Sequence, residues 1–207
     1  MKILFCKIAE MKYYKGISEK DKPFNGGSFV RETGECLEEF NFYPVCADDG
    51  NEYCFGFVET KQTRGKSNEL HIEKIAGCEL LKNDESVDDV LVVWCATTDL
   101  NETSIVGWYK HATVYRYYQE IDFSEHTDKY DIKHFNIFAK KEDCVLIPES
   151  DRHYHIWDAP VAKKRTYGFG QSMMWYASEE KAKPYLEKLV RQINEYDGEN
   201  WIDKSAY

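Results

Sequence analysis

Residues 104–118 read SIVGWYKHATVYRYY: five aromatic rings, Lys110, His111 and Arg116, one glycine and no acid in fifteen residues. β-branched and aromatic side chains suit a pleated, half-buried surface. The stretch therefore predicts two strands, 103–110 and 112–119, joined by a turn. In the first, alternation sets Ile105, Gly107 and Tyr109 on one face and Val106, Trp108 and Lys110 on the other. Gly107 leaves room for the close approach of a ligand or of neighbouring backbone. In the second, Tyr115 and Tyr117 share a face, with Arg116 and Tyr118 opposite.

Working outward, 89–97 (DVLVVWCAT) is a continuous apolar run and predicts a central strand. Residues 2–9 read as a buried strand, 39–45 and 53–59 as a hairpin turned by DDGN, and 70–75 (LHIEKI) as a further short strand. Strands are also expected at 132–139 and 144–148, with 119–131 as a polar loop. Two long irregular segments, 10–36 and 149–172, interrupt them, and loops of that length carry function or are disordered. Near the C-terminus, Leu186, Leu189, Val190 and Ile193 follow helical spacing. Ser178 is a candidate N-cap, Gly198 a stop, and Pro184 marks either a start near Lys183 or a kink. The pattern is α+β: a small mixed β-barrel with long loops and a C-terminal helix, one domain over 1–207.

The net charge of −10 argues against a broad nucleic-acid-binding surface but leaves room for a local basic patch. Cations cluster at Lys110, His111 and Arg116 and again at Lys163, Lys164 and Arg165. Seven scattered cysteines with no C-x-x-C pair fit reduced thiols in a cytoplasm. No segment approaches the length of a membrane span, and no membrane partner is expected.

Motifs for catalysis are sparse. His153 and His155, near Asp151 and Asp158, lack the further ligands that zinc requires, so no metal or other cofactor is expected. There is no G-x-S-x-G elbow and no P-loop. The short run Asn25-Gly26-Gly27-Ser28 could cradle an anion or be a plain turn. Flat rings beside cations are what recognition of an exposed base requires: stacking for the base, a guanidinium or ammonium for the phosphate.

The runs VDDVLVVW (87–94), IVGWY (105–109), ATVYR (112–116) and GQS (170–172) resemble the EVE branch of PUA-like domains. FCKIAEMKYYKGI (5–17), NGGSFV (25–30), GWYKxATVYR (107–116) and GQSxxWYA (170–177) also look like an N-terminal module of some bacterial proteins linked to HNH nucleases. The resemblance implies a PUA-like domain that reads a modified or flipped base, in DNA rather than RNA, in restriction or defence beside a nuclease partner. It implies that Trp108 and Tyr109 wall the base pocket, that Trp175 closes it, and that Asn25, Ser28 and Gln171 bond the base edge. Lys110, His111, Arg116, Lys163, Lys164 and Arg165 would touch phosphates. Two features depart from the pattern. Gly170 stands where an EVE-type domain tends to carry arginine, and no HNH pattern is present.

Two other readings stand beside this one. A hydrolase or nuclease would use the 149–158 loop, with Glu149, Asp151, His153, His155 and His111 as candidates. A protein-interaction module would use the aromatic 10–36 loop and the acidic surface.

Overall fold

The structure is a computed structural model that describes residues 1–25, 36–60, 69–98, 102–122, 132–163 and 166–206. Among these residues it is α+β and dominated by one sheet. The strands are β1 (Ile3–Ile8), β2 (Pro44–Cys46), β3 (Glu52–Gly56), β4 (Ser86–Thr97), β5 (Thr103–Asp122), β6 (Ile132–Lys140), β7 (Cys144–Leu146) and β8 (Met174–Trp175); the helix is α1 (Lys183–Asn194). The strand order is β2-β3-β6-β5-β4-β1-β8, with β7 pairing β5 off this path. The ends, β2 and β8, do not meet, so the sheet is open where a barrel is expected. Pairing is antiparallel except for β1 and β4, which run parallel from Ile3↔Leu91 to Ile8↔Ala96.

The stretch 104–118 is one strand rather than two. Val90 pairs Ala112 and Val92 pairs Tyr109, with a register shift between them where the turn was expected. His111 takes a left-handed backbone (φ 48°) and the chain bends without leaving the sheet. A second register shift, between Trp94↔Gly107 and Cys95↔Ile105, inserts one extra residue in β5 and reverses the alternation. Ile105 therefore packs in the same core as Trp108, and Val106 in the same core as Tyr109. Period-2 reasoning holds only between bulges.

Both faces of the central strands are buried. On one, Leu4, Cys6, Phe42, Trp94, Val106, Tyr109 and Val114 form the larger core. On the other, Phe5, Val93, Ile105, Trp108, Trp157 and Trp175 pack with Leu189 and Ile193 of α1. Gly107 sits between β4 and β7 because nothing larger fits. A Cβ there would run into the carbonyl oxygen of Val145 and lie 2.7 Å from the Phe42 ring. The close approach made possible by this glycine is thus that of backbone and a core ring.

Pro184 occupies the first turn of α1, where its missing N–H is not needed. Ser178 does not cap the helix: a single 3-10 turn, Glu180–Ala182, leads into it without a side-chain cap. The 70–75 segment is not a strand either. Ile72–Lys74 is a 3-10 turn, with Leu70 and Ile72 buried in the larger core. The DDGN hairpin is present but short, because 37–42 form turns rather than extended chain.

All seven cysteines are free, and all but Cys46 are buried. Burial pushes the Cys6, Cys36, Cys95 and Cys144 thiols above their ordinary value. Burial pulls the Lys15 ammonium down to about 8. Above the ordinary thiol range the unfolded chain ionises while the native state keeps its thiol protons, so stability falls as pH rises. Lys15 acts in the opposite sense, because the native state has already lost a proton that the unfolded chain still holds. Four thiols outweigh one amine once the pH passes the ordinary thiol value, and the expected net loss between about pH 7 and pH 10 is roughly 3 kcal/mol. Urea unfolding in reductant checks this: the midpoint should fall at the higher pH, and an unchanged or higher midpoint would contradict it.

Candidate functional site

Because β1 and β4 are parallel neighbours, their C-terminal ends open on the same side, and three loops meet there. Crevices beyond the carboxyl ends of parallel strands are recurrent ligand sites in open sheets. The loop after β1 doubles back so that Glu10 and Phe24 exchange two backbone hydrogen bonds (2.7 and 2.8 Å). Asp21 holds it from within, accepting from the backbone N–H groups of Lys12 (2.6 Å), Tyr13 (2.8 Å) and Tyr14 (3.2 Å). Arg152 reaches in from the 149–158 loop. It donates to the carbonyls of Ile147 (2.9 Å), Met11 (2.6 Å) and Lys12 (2.7 Å) and is 1% exposed. Burial lowers its guanidinium from the usual arginine value.

A cleft of about 340 Å³ opens beside this scaffold, lined in part by Lys12, Asp21, Phe24, Glu149 and His153. Its acids have occupations. Asp21 holds the loop, and Glu149 is 3.0 Å from the Lys12 ammonium, whose pKa that hydrogen bond raises. His155 pairs with Asp158 at 3.2 Å, and His111 lies toward the other end of β5. Of the candidates for hydrolysis, Glu149 and His153 line this cleft, whereas His155 and His111 are paired with Asp158 and Asp89. Among the described residues no group of three or more His, Cys, Asp or Glu could hold a metal ion.

Three residues expected to touch nucleic acid lie on segments tied to this loop end. Asn25, with φ 56°, donates from Nδ2 to the carbonyls of Thr97 (3.1 Å) and Thr98 (3.4 Å), just past the pairing of β4 with β1. Two carbonyl acceptors fix its amide orientation and leave Oδ1 as an acceptor. The Lys7 N–H donates to the Met173 carbonyl (2.7 Å), so Gln171 lies just beyond, alongside the end of β1, and is exposed. β4 and β8 flank β1, so at a strand spacing of about 4.8 Å these two segments are roughly 10 Å apart. Lys163 is exposed on the segment that follows Ala159, whose N–H donates to Thr103 at the start of β5 (2.8 Å). The 160–163 segment is tied to the GFGQS segment by the parallel bridge Val161↔Phe169.

The other expected residues lie elsewhere. Trp108 and Tyr109 are fully buried, one in each core, so they do not wall a common slot. Trp108 packs on Trp157 (5.5 Å between ring centroids) and Tyr196 (5.1 Å); Tyr109 packs on Trp94 (5.3 Å) and Phe42 (5.5 Å). Trp175 is a packed anchor rather than a lid, 4.5 Å from Phe5, with its indole N–H donated to Glu179 at 2.7 Å. Arg116 is 4% exposed and meets Glu73 (2.8 Å) and the carbonyls of Asp84 and Leu81, so it braces the 69–84 segment rather than a phosphate. Lys110 and His111 border a separate cavity with Lys2. Ser28, Lys164 and Arg165 lie outside the described residues.

Sequence reasoning missed Asp21, Phe24 and Arg152. Phe24 is 45% exposed, the kind of ring on which a ligand can stack, and only its place in the long loop signalled it. Nothing in ESDRH marks Arg152 as a buried brace. No family model, no curated protein and no solved structure matches this chain.

Proposed function

We propose that this protein is a nucleic-acid-binding module, related to PUA-like readers, that recognises a modified or flipped base in DNA. In this reading a cytoplasmic restriction or defence system supplies the nuclease as a separate partner. Recognition is by Asn25 and Gln171 on the base edge and Lys163 on the backbone. What supports the reading is that Asn25 and Gln171, from two of the motifs that carry the resemblance, lie on segments anchored beside the C-terminal ends of β4 and β1. Exposed Phe24 adds a ring on which a base can stack. The Oδ1 of Asn25, which has no donor among the described residues, suits an exocyclic amino group, and the amide of Gln171 offers both a donor and an acceptor. Trp108 and Tyr109 are left out of the site because they are the sheet's own core.

The test uses duplexes with and without base modifications, titrated at low salt. Gln171→Ala is expected to weaken binding to the preferred modified duplex by about tenfold, the loss of one good base contact, and to leave plain DNA unaffected. Lys163→Ala should weaken both to the same extent and flatten the salt dependence. If no modified duplex binds better than plain DNA, or if Gln171→Ala leaves the preference intact, the proposal fails.

A further inference from the structure

A cavity of about 510 Å³ lies at the opposite end of the sheet, where β1 begins. It is roughly 20 Å along β4 from the loop end, at about 3.3 Å per residue. One wall is apolar: Leu91, Val190 and Ile193 at the fringe of the smaller core. The rim is polar: the ammonium groups of Lys2 and Lys110, with His111 and Asp89.

The acids nearby are occupied. Asp89 lies 2.7 Å from His111 Nδ1, and Asp88 accepts from Thr113 Oγ1 at 2.6 Å. Because a carboxylate can only accept, Nδ1 carries the proton and Nε2 is the nitrogen left over. Lys2 donates to the Asp88 carbonyl (2.8 Å), and among the described residues neither Lys2 nor Lys110 has a carboxylate within ion-pair distance. Two ammonium groups without acidic partners at one apolar cavity are conspicuous in a chain of net charge −10.

A second observation points to the same place. Asp89 (φ 59°) and His111 (φ 48°) are both left-handed, on paired strands, with register shifts on either side of Val90↔Ala112. Each such residue costs about 1–3 kcal/mol, and residues of this kind cluster at ligand sites. Here the distortion joins His111 to Asp89 at the cavity mouth.

We propose that this cavity binds a small organic anion with an apolar body. The charged head sits at Lys2 and Lys110, and the body lies along Leu91, Val190 and Ile193. The orientation follows from charge. The last turn of α1, ending at Asn194, presents partial negative charge on the helix side, which repels an anionic head and tolerates a hydrocarbon. The site is independent of the base-recognition reading, because none of its residues lies at the loop end.

Octanoate is the probe, with 1-octanol as its uncharged counterpart, each titrated into isotope-labelled protein and followed by amide shifts. Octanoate should saturate shifts at Leu91, Lys110, His111, Val190 and Asn194 and bind about tenfold tighter than octanol. Lys110→Gln should remove most of that difference, and Ala76→Phe, which fills the cavity, should block both. Lys110 is half-buried with no carboxylate partner, so its substitution tests the head contact even if Ala76→Phe fails to fold. Octanol binding as tightly as octanoate, or no shifts at these positions, would overturn the proposal. So would a short oligonucleotide that moves these resonances where octanoate does not.

Discussion

Trp108→Ala is expected to destabilise the protein by about 3–5 kcal/mol, the usual cost of truncating a buried tryptophan to alanine. For a chain of this size that lowers the melting temperature by roughly 10 °C. The indole is fully buried between Trp157 and Tyr196, beside Val93, Ile105 and Ile147. Among the described residues its Nε1 has no hydrogen-bond partner, so the cost is cavity and contact alone. Trp108→Phe, which keeps part of the volume, should cost less than half as much. Thermal unfolding decides between this role and a ligand-facing one. A Trp108→Ala protein that melts like the wild type but no longer binds DNA would restore the ring to a binding pocket.

Arg152→Met should cost about as much, roughly 3–5 kcal/mol, by a different route. Methionine fills much of the same space but donates nothing. The carbonyls of Ile147, Met11 and Lys12 would then lose their partner in a site from which water is excluded. Two of the three belong to the loop after β1, so the damage should be local as well as global. Amide hydrogen exchange should speed up across 10–24 before it does in β4 and β5. Arg152→Lys keeps the charge but not the planar fork and should fall between the two. Wild-type stability and exchange in Arg152→Met would mean that the loop is held by Asp21 alone.

The elements legible in the sequence were those whose pattern is local. The apolar run of β4, the strands β1, β6 and β7, and the proline-led helix all follow from periodicity and punctuation within a dozen residues. What could not be read depends on a second segment. The bend at His111 resembles a turn in sequence, because only the facing Asp89 and the register of β4 show the strand to be continuous. LHIEKI alternates like a strand, yet Arg116 from β5 and Tyr176, whose hydroxyl accepts from the His71 N–H, hold it as a 3-10 turn. A ring such as Trp108 reads the same whether it will face solvent or a helix, and the packing of α1 over β4 and β5 decides which. For the candidate site, Asn25 and Gln171 were visible as residue types. Their placement depends on the parallel pairing of β1 with β4, and no spacing encodes that.

The most direct measurement is amide-shift mapping of the labelled protein during titration with a duplex carrying the preferred modified base. The shifts should concentrate at Phe24, Asn25, Lys163 and Gln171, with the resonances of Lys110, His111 and the buried Trp108 unmoved. Shifts centred on β5 instead, or none at low salt with any modified duplex, would contradict a base-reading end beyond β1 and β4.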